Sequence, residues 1–94
     1  MQPLVERYWS TFEEEGPIEL EAFLDQVAAG KHGEYTRQDI LDFIDEMHGA
    51  MLANIELKAT EGPQYEAMRE FAIRQTEEQM ERLRRKFRSD DRRS

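Results

Sequence analysis

The stretch of sequence that decides the fold is residues 36–60, TRQDILDFIDEMHGAMLANIELKAT. Its apolar residues recur every three or four positions, which is the spacing of one face of an α-helix. Thr36 followed by Asp39 has the pattern of a capping box, the motif that begins a helix. The sequence therefore predicts one long amphipathic helix, whose apolar face comprises Ile40, Leu41, Phe43, Ile44, Met47, Met51, Leu52 and Ile55.

Three breaks divide the rest of the chain: Glu15-Gly16-Pro17, Gly30-Lys31-His32-Gly33 and Glu61-Gly62-Pro63. Glycine is favoured just after a helix and proline at the first position of the next one. We therefore expect an all-α protein, a small four-helix bundle built from two helical hairpins with a long C-terminal helix. The four helices are expected at residues 3–14, 17–29, 36–60 and 63–88. Residues 1–88 are predicted to form a single helical domain, and residues 89–94 a frayed tail.

The predicted core combines the apolar arcs of the first three helices, with Trp9 on the first of them, and the first half of the fourth helix. In the fourth helix an apolar stripe begins with Tyr65, Met68 and Phe71, and glutamines interrupt it further along. The second half of that helix resembles a coiled-coil seam that is open to a second chain. We expect contacts with a partner, or with another copy in a homodimer, through Ile73, Met80, Leu83 and Phe87.

Charge is divided unevenly along the chain. Residues 1–81 contain six Lys or Arg and nineteen Asp or Glu, a net charge of −13, whereas residues 82–94 contain seven basic and two acidic residues, a net charge of +5. An acidic body repels nucleic acid and anionic membranes. No apolar run has the length of a membrane span or the form of a signal peptide, and there is no cysteine. We therefore expect a soluble, cytoplasmic protein with no membrane partner.

The sequence contains no pattern that is typical of nucleophilic catalysis or of a phosphate-binding site. Cysteine is absent, and Ser10, Ser89 and Ser94 lie outside any nucleophile-elbow context. No glycine-rich phosphate loop is present. We therefore expect no enzymatic activity and no cofactor.

Metal binding is one alternative. Asp45 and His48 are three residues apart, like the carboxylate and histidine of metal sites in helical bundles, and a dimer would supply two such pairs. However, His48 falls inside the apolar face of the long helix, where a buried, hydrogen-bonded histidine is the simpler interpretation. No metal ligand is assigned on this basis.

Nucleic-acid binding is a second alternative, because the last helix ends in a basic segment. Its cations can contact phosphates, and Phe87 can stack on a base. Cations also complement the dipole at the C-terminus of a helix, which is a purely structural role. The basic segment comprises Arg82, Arg84, Arg85, Lys86 and Arg88.

Acidic side chains dominate the remaining polar faces, and only three lysines accompany them. A surface that served solubility alone would carry both signs of charge more evenly. We therefore expect a non-enzymatic protein–protein interaction module, an adaptor, regulator or inhibitor, that contacts a basic surface of another protein. The predicted contact residues are Glu13, Glu14, Glu15, Asp39, Asp42, Asp45 and Glu46.

Overall fold

The computed structural model describes residues 2–89, which contain five α-helices and no strand. The prediction of an all-α protein is confirmed. None of the described helices has the combination of length and apolarity that crossing a membrane requires. The predicted frayed tail, apart from the backbone of Ser89, lies outside the described residues. The helices are α1 (Leu4–Glu15), α2 (Leu20–Ala28), α3 (Arg37–Ala59), α4 (Pro63–Ala67) and α5 (Arg69–Ser89).

The start of α3 follows the prediction. The Asp39 amide donates a hydrogen bond to the Thr36 hydroxyl at 3.0 Å, and the Thr36 amide donates to the Asp39 carboxylate at 2.8 Å. The capping box is therefore present in both directions. By contrast, α2 begins at Leu20, three residues later than expected. The Ile18 carbonyl accepts a hydrogen bond from the Tyr8 hydroxyl at 3.2 Å, which holds this connection against α1.

The predicted fourth helix is two helices, because the backbone leaves the α-helical conformation at Met68 (φ −96°, ψ 1°). The Met68 amide bonds to the Tyr65 carbonyl, three residues back, which tightens the turn there. A short α4 therefore precedes α5. The long helices α3 and α5 run antiparallel, since Arg69 pairs with Glu56 and Arg84 with Asp45.

The core lies where α1, α2, the first half of α3 and the second half of α5 meet. The rings of Tyr8, Phe23 and Phe43 contact one another with centroid separations of 5.0 to 5.8 Å. Such tilted or edge-on ring pairs add to the stabilisation from apolar burial. The buried apolar residues are Leu4, Tyr8, Leu20, Phe23, Leu24, Val27, Ile40, Phe43, Ile44, Met80, Leu83 and Phe87.

The structure reverses the prediction about which half of the last helix belongs to the core. Met80, Leu83 and Phe87 are fully buried inside this chain, so the proposal that they contact a second chain was wrong. Met68 and Phe71, which were predicted to be in the core, are exposed. The reason is that the buried cluster shared with α1 and α2 contains only residues from the C-terminal half of α5. Ile73 is half-buried.

The far end of the α3–α5 pair projects beyond the other helices. Within residues 45–75, all of which the structure describes, no side chain is fully buried. The molecule measures 47 × 31 × 17 Å, with a radius of gyration of 14.9 Å, whereas a compact domain of this length has a radius of about 12 Å. We call residues 45–75 the projecting hairpin and the remaining helical part the body.

Candidate interaction surfaces

The basic end of α5 lies against acidic side chains of α2. The Lys86 ammonium is 2.7 Å from a Glu21 carboxylate oxygen and 2.9 Å from an Asp25 oxygen, and Arg82 is 2.9 Å from the other Glu21 oxygen. Hydrogen bonds from Lys86 and then Arg82 lower the pKa of Glu21, and those to Asp25 and Glu21 raise the pKa of Lys86. The basic segment therefore neutralises part of its own acidic body.

Arg84 connects α5 to the two residues of the hypothetical metal site. Its guanidinium donates to an Asp45 carboxylate oxygen at 3.0 Å and to His48 Nδ1 at 2.8 Å. Since arginine can only donate, Nδ1 accepts and the proton of the neutral ring is on Nε2, which is buried with no hydrogen-bond partner among residues 2–89.

This arrangement argues against a metal ion between Asp45 and His48. A guanidinium cation already contacts both groups, and a metal cation at the same place would meet like-charge repulsion. Over residues 2–89, no group of three or more His, Asp or Glu side chains is arranged to hold a metal ion.

Two exposed members of the basic segment have no ion-pair partner within residues 2–89. Neither Arg85 nor Arg88 forms an ion pair with another residue of the described part of the chain. The segment predicted to bind phosphates is thus divided: Arg82, Arg84 and Lys86 bind carboxylates of the same chain, and Arg85 and Arg88 face solvent.

An acidic groove of about 320 Å³ lies between the start of α1 and the first half of α3. Leu4 and Phe43 are buried at its base, whereas Asp42 and Glu46 are exposed on its wall. The Tyr35 hydroxyl donates to the Gln2 carbonyl at 2.6 Å, and burial raises the pKa of this tyrosine. The lining residues are Gln2, Pro3, Leu4, Tyr35, Asp39, Asp42, Phe43 and Glu46.

The structure separates the acidic residues that were predicted to act as one surface. Asp39, Asp42 and Glu46 share the acidic groove, but Asp45 faces Arg84 on another side of α3. The exposed run 13–15 lies at the opposite end of α1, where no basic residue accompanies it in the last turn. Carboxylates at a helix C-terminus oppose the helix dipole, so these three glutamates do not stabilise α1.

A different surface lies on the projecting hairpin, where two adjoining hollows share Asn54 and Ile55. We call these two hollows, together with the exposed Phe71 three residues after Met68, the apolar face. The smaller hollow, about 180 Å³, is lined by Asn54, Ile55, Lys58, Tyr65, Met68, Arg69 and Ala72. The larger, about 350 Å³, is lined by Trp9, Met47, Ala50, Met51, Asn54, Ile55 and Thr76, none of them charged.

Several large side chains of the apolar face are exposed, although 36% of the residues in this chain are charged. Trp9 is 51% exposed, Met68 57% and Phe71 55%. Trp9 was predicted to be in the core with the rest of the α1 apolar arc. Because α1 packs against the core through Leu4 and Tyr8, Trp9, which follows Tyr8, lies at the larger hollow instead.

The charged residues of the smaller hollow are engaged within the chain. Arg69 forms an ion pair with Glu56 at 2.8 Å, and its hydrogen bond lowers the pKa of Glu56. The Lys58 ammonium lies 5.3 Å from the centroid of the Tyr65 ring, within the range of a cation–π contact.

The sequence analysis missed the apolar face, although a signal was present. The apolar stripe of α3 continues to Ile55, but the facing part of α5 carries Gln75, Thr76 and Gln79. These residues are too polar to cover the stripe, which indicates that it is left partly uncovered.

Comparison with known proteins finds no matching family model, no significantly similar curated protein and no significantly similar solved structure.

Proposed function

We propose that this protein is a non-enzymatic protein–protein interaction module, an adaptor, regulator or inhibitor, that binds a basic segment of another protein in the acidic groove. The observation that carries the proposal is the combination of an apolar base, formed by Leu4 and Phe43, with exposed carboxylates on the wall. Lysine and arginine have an apolar stem and a cationic head. The groove offers a matching surface to each part.

The charge of residues 1–81 supports a basic partner. Residues 1–81 carry a net charge of −13, and such a field attracts cationic partners and speeds their association. Within the groove, Asp42 accepts a hydrogen bond from the uncharged Gln38 at 2.9 Å. Neither Asp42 nor Glu46 forms an ion pair with another residue of the range 2–89. Both carboxylates therefore remain available to cations of a partner.

The contacts of the basic segment favour a protein partner over nucleic acid. Arg82, Arg84 and Lys86 contact carboxylates of the same chain. Phosphates would have to displace these carboxylates, and the nearby acidic body would repel them.

The test compares the double variant Asp42→Asn/Glu46→Gln with the control Glu77→Gln/Glu78→Gln. All four residues are exposed, and both pairs of substitutions remove two negative charges with little change in size. The full chain is immobilised, and proteins captured from native lysate are quantified by mass spectrometry at low and raised salt. We expect the wild type and the control to capture the same basic protein in a salt-sensitive manner, and the groove variant to lose it.

Equal capture by the two variants would show that the groove is not the binding site. Labelled DNA and RNA are tested on the same proteins. Salt-sensitive binding of nucleic acid by the wild type, lost in Arg85→Ala/Arg88→Ala, would favour the nucleic-acid alternative instead.

A further inference from the structure

We propose that the apolar face binds a second copy of this chain, so that two projecting hairpins pack together as a four-helix bundle. This inference goes beyond the proposed function, because it concerns a different surface and a different partner. It also differs from the homodimer predicted from the sequence, because three of its four contact residues, Met80, Leu83 and Phe87, lie in the core of each chain.

The projecting hairpin lacks the additional layer of helices that covers α3 and α5 in the body. Two helices side by side bury only the stripes that face each other, and the remaining apolar surface needs another element to cover it. In the body α1 and α2 supply that element. In the hairpin Met51 and Ile55 remain half-buried and Met68 exposed. A second hairpin has the length and shape needed to supply the missing layer, since two antiparallel helix pairs make an ordinary four-helix bundle.

The second argument is electrostatic and selects another copy over a charged partner. The larger hollow has no charged lining residue, so a basic or acidic segment would find no complementary charge there. The charges of the smaller hollow already have partners within the chain, in the Arg69–Glu56 pair and the Lys58–Tyr65 contact. A second copy necessarily brings a face of the same uncharged character, and in a two-fold dimer the same patch contacts itself.

A row of uncharged residues also lies on the surface of α5. Gln75 and Gln79 follow Phe71 at intervals of four residues, and the charged Arg74 and Glu78 are exposed beside this row. Uncharged amide side chains can donate and accept hydrogen bonds across a two-fold interface without like-charge repulsion.

The test uses the full chain with Phe71→Lys and Met68→Lys, and with Ala22→Lys as the matched control. All three positions are exposed, and each variant gains one positive charge. Added lysine reduces the net negative charge of the chain, so a loss of association cannot come from stronger overall repulsion. Circular dichroism and thermal unfolding in dilute solution check that every variant is folded.

Light scattering and sedimentation velocity then give the molar mass at tens of micromolar. We expect the wild type and Ala22→Lys to have twice the chain mass of 11.2 kDa, and the two hairpin variants to have the chain mass itself, with self-association weakened by more than about tenfold. A monomeric wild type, or hairpin variants as dimeric as the control, would overturn the proposal.

Trp9 provides an internal probe of which face is used, because it is the only tryptophan and lines the larger hollow. We expect its emission to shift to longer wavelength when the wild type is diluted, since dissociation exposes the ring, and to stay constant with dilution in Phe71→Lys. A dimer whose dilution leaves the Trp9 emission unchanged would show that another face is used.

Salt separates this proposal from the proposed function. Raised salt screens the repulsion between two acidic chains and strengthens the dimer, whereas it weakens binding of a basic segment in the acidic groove. If the wild type is monomeric but still captures the basic protein, the four-helix bundle alone is disproved. If the wild type is dimeric but captures no basic protein, binding in the acidic groove alone is disproved.

Discussion

The body and the projecting hairpin share two helices, α3 and α5, but the apolar residues of these helices are buried in the body and partly exposed in the hairpin. In the body Ile44, Leu83 and Phe87 are fully buried, because they pack in one cluster with apolar residues of α1 and α2. In the projecting hairpin Ile55 is only half-buried and Phe71 is exposed. The amphipathic pattern is present in both regions, so the pattern alone does not make a core. A third helix, from this chain or from a partner, decides whether an apolar stripe is interior or surface.

The largest expected difference is between Phe87→Ala and Phe71→Ala, two changes of the same residue in the same helix. Phe87 is 1% exposed, so its truncation leaves a cavity and should cost about 3–5 kcal/mol of unfolding free energy. Truncation of Phe71 in the monomer should change the unfolding free energy by less than about 0.5 kcal/mol. Urea unfolding in dilute solution measures both.

Because domains of this size have a total stability of roughly 5–15 kcal/mol, Phe87→Leu serves as a milder variant if Phe87→Ala does not fold. Similar losses for positions 71 and 87 would remove the distinction between hairpin and body.

The next comparison concerns the two ends of α3. Thr36→Ala removes the side-chain half of the capping box at the body end and should cost about 1 kcal/mol. The control is Thr60→Ala at the hairpin end, where the hydroxyl donates to the Leu57 carbonyl at 2.7 Å. We expect a change of less than about 0.5 kcal/mol there, since the site is exposed. Thermal unfolding of both variants provides the measurement, and equal shifts in the midpoint would contradict the expectation.

A smaller effect is expected from Lys86→Met, which removes the ion pairs between α5 and α2. The Lys86 and Glu21 side chains are 36% and 32% exposed, so solvent screens the pair and we expect a loss of about 0.5–1 kcal/mol at neutral pH. The control Arg85→Met removes the same charge from an exposed side chain of the same helix. It should have little effect on the urea midpoint.

The pH dependence of that loss has a definite sign. Hydrogen bonds from Lys86 and Arg82 lower the pKa of Glu21 below its ordinary 4.5, so its contribution is present above that pH and is lost as the pH falls through the lowered value. The difference between the wild type and Lys86→Met should therefore shrink in acid. A difference that stayed constant down to acid unfolding would mean that Lys86 stabilises the body by packing alone.

The smallest expected effect concerns His32, whose ring joins the loop before α3 to α1 and α2. Arg7 donates to Nδ1 at 3.0 Å, and Nε2 lies 2.8 Å from the Gln26 side-chain oxygen, so both ring nitrogens are engaged in the neutral form. Burial, and then the charge of Arg7, lower the pKa of His32 below its ordinary 6.5. Its neutral form therefore contributes stability above pH 6.5, and this contribution is lost as the pH falls through the lowered value.

The wild type should accordingly lose stability relative to His32→Gln as the pH is lowered through and below 6.5. Thermal unfolding midpoints of both proteins across this pH range measure the difference in stability. Both proteins carry the same carboxylates, so the effect of carboxylate titration cancels when the two midpoints are subtracted. A difference in midpoint that stayed constant across the pH range would show that protonation of the His32 ring does not change the stability.

The candidate surfaces were only partly predictable. The sequence named Asp39, Asp42 and Glu46 as partner contacts, and the fold places them on one groove with an apolar base that no sequence pattern indicated. Asp45 belonged to the same predicted surface, but its position on the helix directs it to Arg84. The apolar face was not predicted, because Met68 and Trp9 are large apolar residues of the kind that usually lies in a core.

The sequence by itself determined the helices and most of their limits, the capping box at Thr36 and the opposite charges of the body and of the end of α5. These features depend on residues within a few positions of one another, through hydrogen bonds and side-chain spacing along one helix. Only the tertiary structure decided that Phe87 is core and Phe71 is surface, and that Lys86 neutralises its own chain. Burial and ion pairing depend on elements that are distant in sequence. The position of α1 and α2 relative to α5 cannot be predicted from the local residue pattern of any one helix.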